Sequence, residues 1–140
     1  MRKLALIFIL VALLSLLVAC GSKGVDRGKA VKSAPAGNNL TVTLSTPDGV
    51  LHHGNGQTFM LSFTDASGKT VEVGAAALTF HMPAMGAMGA MNNASTLTTT
   101  NTPGVYRGLA NVEMAGEWQA QVTYEGPAGR GQVSLPVTAQ

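Results

Sequence analysis

Val112-Glu113-Met114-Ala115-Gly116-Glu117-Trp118-Gln119-Ala120-Gln121-Val122-Thr123-Tyr124-Glu125 is the stretch that decides the fold class. Val112 and Met114 share one side of the chain before Gly116. After it, Trp118, Ala120, Val122 and Tyr124 alternate with Gln119, Gln121, Thr123 and Glu125. Side chains alternate across a strand with a period of two, so the pattern reads as β-structure with one buried and one wet face. With Gly116 as the turn, the stretch predicts a half-buried antiparallel hairpin.

The same period recurs outward from it. Leu40, Val42 and Leu44 alternate with Thr41, Thr43 and Ser45, and Phe59, Leu61 and Phe63 alternate with Met60, Ser62 and Thr64 after a turn at Gly54-Asn55-Gly56. Leu78, Phe80 and Met82 lie opposite Thr79 and His81, and the Thr-rich piece from Ser95 to Thr100 is a weaker strand. Val133, Leu135 and Val137 form a last strand whose Pro136 suits a sheet edge, because proline has no N–H to donate to a ladder. No stretch after residue 40 shows a helical period with caps. The expectation is an all-β, immunoglobulin-like antiparallel sandwich of about seven strands over residues 40–140.

Upstream, Arg2 and Lys3 precede an apolar run from Leu4 to Leu14, which resumes as Leu16-Leu17-Val18-Ala19 and stops at Cys20-Gly21. That is the pattern of a secretory signal over residues 1–19 cleaved at a lipid-bearing cysteine. The run is short for a membrane span, which wants ~20 apolar residues, and this favours cleavage over the alternative of an uncleaved anchor with an incidental Cys20. Cys20 is the sole cysteine, so a disulfide within the chain is excluded and lipid attachment accounts for the odd thiol. Residues 20–39 read as a lipidated cysteine and a flexible Gly/Ser/Ala/Lys tether. The chain is then expected in the cell envelope, held to the membrane by the lipid on Cys20 and facing the periplasm or outside.

The formal charge of +2 comes from Arg2 and Lys3. Lys23, Arg27, Lys29 and Lys32 crowd the tether with only Asp26 against them, a basic approach suited to anionic head groups. The mildly acidic domain beyond, with 5% aromatic residues to stack bases on, argues against nucleic acid. There is no nucleophile elbow and no phosphate loop, so no enzyme is expected.

Chemistry concentrates in His81-Met82-Pro83-Ala84-Met85-Gly86-Ala87-Met88-Gly89-Ala90-Met91, where four methionines recur at every third position. Pro83, Gly86 and Gly89 disfavour a helix. An extended or tight-turn backbone with three residues per turn would stack the methionines along one edge. Thioether sulfur is a soft ligand suited to Cu(I), and it needs no deprotonation to bind. Met85, Met88 and Met91 are the expected ligands, with His81 as nitrogen donor and Met82 or Met114 as further candidates. Core filling is the competing reading, strongest for Met82 and Met114, whose alternation points them inward. Docking of an envelope partner and sacrificial oxidation to sulfoxide stand beside it. His52 and His53 are either solvated or a second metal site.

Phe80-His81-Met82-Pro83-Ala84-Met85-Gly86, with Gly104-Val105-Tyr106 and Met114-Ala115-Gly116-Glu117-Trp118, resembles the YtkA-like domains, relatives of the FixH proteins, over roughly Leu40 to Val137. The resemblance implies an immunoglobulin-like sandwich near copper-handling or oxidase-assembly functions. It implicates His81, Met82 and Met85, and makes Met114, Gly116 and Trp118 the structural half of the pattern. This chain departs from it by extending the repeat to Met88 and Met91. The function expected is an exported, lipid-anchored Cu(I) chaperone or buffer that serves a copper-efflux or oxidase-assembly protein; a metal-free docking module is the alternative.

Overall fold

The structure is a computed structural model that describes residues 24–140. The predicted signal and Cys20 lie outside the described residues. Nine strands follow in order: β1 (Lys29–Gly37), β2 (Leu40–Thr46), β3 (Gly54–Thr64), β4 (Ala75–Met82), β5 (Met91–Ala94), β6 (Thr96–Thr99), β7 (Val105–Val112), β8 (Gly116–Gly126) and β9 (Gly129–Ala139). They form a five-stranded sheet in the order β1-β2-β3-β7-β6 and a four-stranded sheet in the order β5-β4-β8-β9, with every paired neighbour antiparallel. Without β1, the order β2-β3-β7-β6 facing β4-β8-β9 is that of an immunoglobulin sandwich.

Alternation supplies the core. Phe59, Leu61 and Phe63 of β3 face Leu78 and Phe80 of β4 and Trp118, Ala120, Val122 and Tyr124 of β8, all buried. Phe59 meets Phe80 edge to face at 5.6 Å, and Phe63 meets Tyr124 at 5.3 Å. A glycine at 108 is required here, since a Cβ would sit 2.1 Å from Phe59 Cζ.

Four expectations are corrected. The tether is shorter than predicted, because Lys29–Gly37 pairs along β2 from Lys29↔Thr46 to Gly37↔Leu40. Asn38 and Asn39, at φ 52° and 58°, make the two-residue turn whose positive dihedrals these side chains tolerate. Tyr124 ties the strand down by donating its hydroxyl to Ala36 O at 2.8 Å. Only Ala36 of β1 is fully buried, so the strand carries too little alternation to stand out in sequence.

Second, β7 and β8 are not a hairpin. Residues 113–115 carry the chain from one sheet to the other, and the hairpin partner of β8 is β9, from Gly116↔Ala139 to Gly126↔Gly129. Both sheets bury residues into the same core, so Val112 and Trp118 alternate alike whether the chain turns back or crosses over. Third, the described residues form nine strands rather than seven, the additions being β1 and β5. The stretch Gly54-Asn55-Gly56 also belongs to β3, where it forms an irregularity opposite β7 between Gly54 and Gln57. Pro136 sits, as expected, on an edge strand, β9.

Candidate functional site

The methionine repeat folds as the tip of the β4–β5 hairpin. Its pairing runs Thr79↔Ala94, Phe80↔Asn93, His81↔Asn92 and Met82↔Met91. The same register returns at an isolated bridge, Met85↔Met88. There Met85 N donates to Met88 O at 3.0 Å and Met88 N to Met85 O at 2.9 Å. Only Gly86 and Ala87 lie between them, with Gly86 at φ 56°, the positive dihedral that a type II′ turn asks of its first central residue. The threefold stack expected from the spacing is therefore replaced by a tight reversal. An extended left-handed helix leaves its own N–H and C=O groups without partners, whereas the reversal pairs those of Met85 and Met88.

A period of three on a ribbon of period two sends Met82 and Met85 along one strand, and Met88 and Met91 along the other, to opposite faces, while Met85 and Met88, paired across the turn, share one. Met82 is 2% exposed and sits in the core, its methyl 3.3 Å from where a Cβ on Gly116 would lie. Met91, opposite it, is half-buried against the same core, as is Met114. The backbone of Met114 also accepts the Trp118 indole N–H at 3.0 Å. Met85 and Met88 are 57% and 47% exposed. The six residues predicted as a ligand set thus divide into a packed group, Met82, Met91 and Met114, an exposed pair, Met85 and Met88, and His81.

His81 lies on the outward face of β4, four residues before Met85, which on an extended strand is ~13 Å of backbone. Its Nδ1 lies 2.7 Å from Asn92 Oδ1, a contact that engages this nitrogen of the ring and not Nε2. A metal-binding imidazole is usually oriented in this way, through its other nitrogen. Asn92 was not foreseen, because its place beside His81 depends on where the chain reverses.

His52 and His53 are at the same end of the sandwich but on its other side. Leu51 bridges Ala139 in parallel at the outer edge of β9, so β9 and β8 stand between this loop and β4. At ~4.8 Å per strand the separation is roughly 14 Å. His52 Nε2 lies 2.6 Å from Asp48 Oδ2, and His53 Nδ1 lies 2.8 Å from Gln140 O. The His52 contact, followed by the Val50 N–H, holds the Asp48 carboxyl down at about 2. No group of three or more His, Cys, Asp or Glu side chains suited to a metal occurs among the described residues.

What the tip can hold follows from its geometry. Directly opposed residues of an antiparallel pair have Cβ atoms ~5 Å apart, so the Met85 and Met88 thioethers can converge on one small soft ion. Nothing from Met82 to Ala94 is charged. The pair offers two soft donors to such an ion, and neither His81, ~13 Å of backbone away, nor buried Met82 adds a third in this backbone.

A family model described as YtkA-like matches residues 35–123, more than half of the chain, from the end of β1 into β8 and including the whole hairpin. No curated protein matches the chain.

Proposed function

The chain belongs to the YtkA-like family, and from that premise we propose that it is an envelope copper-binding protein, a buffer or chaperone rather than a catalyst, holding Cu(I) between Met85 and Met88. The observation that supports this reading most is the bridge itself. The backbones of two methionines are fixed opposite each other by reciprocal hydrogen bonds, and their thioether side chains are left in solvent at the end of a two-residue turn. Soft sulfur prefers Cu(I), and an exposed two-coordinate ion is open to attack by an incoming ligand. Transfer to a copper-efflux or oxidase-assembly protein would proceed by exchange of one thioether at a time. His81, engaged by Asn92 through Nδ1, is suited to a later position on that route. Lipid attachment at Cys20 would keep the exchange at the envelope.

Exposed Met85 and Met88 also support a second reading, an apolar tip that docks another envelope protein without metal. Leucine separates the two, since it keeps the apolar volume and removes the sulfur. The test is a Cu(I) titration of the full-length chain against a chromophoric competitor, beside the Met85→Leu/Met88→Leu double variant. One copper withheld by the parent and none by the folded variant is the expected result. If neither withholds copper, the metal reading fails; equal retention by both would move the site to Met82, Met91 and Met114.

A further inference from the structure

The two sheets differ in charge. The strands of the five-stranded sheet contain Lys29, Lys32 and Arg107 and no acidic residue. Those of the four-stranded sheet contain Glu117, Glu125 and Arg130, with Arg130 bonded to Glu125 at 2.7 Å. On the outer face of the five-stranded sheet, Met60 pairs with Arg107 and Thr58 with Leu109. Leu109 is 49% exposed, and it is the sole large apolar side chain so exposed apart from Met85 and Met88 among the described residues.

The N-terminal segment crosses this same face. Val25 N donates to Thr102 Oγ1 at 3.2 Å, beside the turn into β7. Asp26, Arg27 and Gly28 then line a groove of about 330 Å³ with Pro47, Thr58, Met60 and Arg107. Asp26 Oδ1 is engaged by Gly28 N at 2.9 Å. Neither Arg27 nor Arg107 has a carboxylate partner among the described residues. Gly24 is four residues from Cys20, a contour of at most ~14 Å.

We propose that the outer face of the five-stranded sheet rests on an anionic lipid surface, with Leu109 and Met60 against the bilayer interface and Arg27 and Arg107 on headgroup phosphates. The proposal rests on the reading of Cys20 as the lipid attachment, which brings a bilayer within reach of this face first. Charge complementarity and the exposed Leu109 favour that side over the acidic four-stranded sheet. His81 and the Met85–Met88 pair, which belong to the other sheet, would then point away from the membrane.

The test uses the full chain purified from membranes and reconstituted into phosphatidylcholine vesicles with and without phosphatidylglycerol. A fluorophore is placed through Leu109→Cys or, on the outer face of β8, Gln121→Cys, and a headgroup-bound quencher reports proximity. Intact mass establishes first whether Cys20 carries lipid. Quenching at position 109 but not at 121, stronger with phosphatidylglycerol, is expected. The Arg27→Ala/Arg107→Ala pair should lower the docked-to-undocked ratio roughly thirtyfold, at the attraction typical of two surface charges. Equal quenching at both positions overturns the proposal, as does position-109 quenching that is no stronger with phosphatidylglycerol than without it. A mass without lipid overturns the premise and the proposal with it.

Discussion

The base and the tip of one hairpin carry methionines from the same repeat in opposite environments. Met82 and Met91 face the core beside Gly116 and Trp118, while Met85 and Met88, three residues nearer the turn on each strand, face solvent. The spacing that looked like a single ligand array is, on a two-residue-period ribbon, a device for alternation. It sets one pair to hold the hairpin onto the sandwich and offers the other outside.

The largest contrast expected is in stability. Met82→Ala removes a fully packed side chain and should cost about 2–5 kcal/mol, whereas Met85→Ala or Met88→Ala should stay within about 0.5 kcal/mol. Denaturant melts of the three variants check this, and similar costs at base and tip would abolish the distinction. Chemical access should follow the same order. Under limiting peroxide, peptide mapping should find sulfoxide at Met85 and Met88 first, then Met91, and Met82 last, since oxidation tracks exposure in a packed protein. Early oxidation of Met82 would mean that the base opens in solution.

The smallest effect concerns the histidine loop across the same end. The folded-state pKa of Asp48 is depressed from 3.8 to about 2, chiefly by its hydrogen bond with His52. Its contribution to stability is thus fully present above the ordinary carboxylate range and lost as pH falls from near 4 towards 2. Acid titration of Asp48→Asn should show a slightly shallower loss of stability in that window. Cu(I) loading should leave this step unchanged; a shift on loading would bring His52 into the metal site and break the separation of tip from loop.

How much could be read in advance varies by region. Alternation in Leu40–Leu44, Phe59–Phe63, Leu78–Met82 and Trp118–Tyr124 determined β-structure, and with it which side chains fill the core, because strand periodicity is local. Pro136 marked an edge for the same local reason. The Asn38-Asn39 pair was a usable turn signal for β1, but an edge strand that buries one residue leaves little pattern to attach it to.

Sequence by itself therefore determined the fold class, the inward placement of Met82, and the candidate residues of the hairpin. Tertiary structure alone decided that β7 and β8 belong to different sheets, that Met85 pairs with Met88 while Met82 pairs with Met91, that His81 meets Asn92, and that His52 lies beyond β9. These are relations between residues distant along the chain or separated by a turn. They depend on register and on which sheet a strand joins, and a periodicity of two is the same for every choice that buries the same side of the strand.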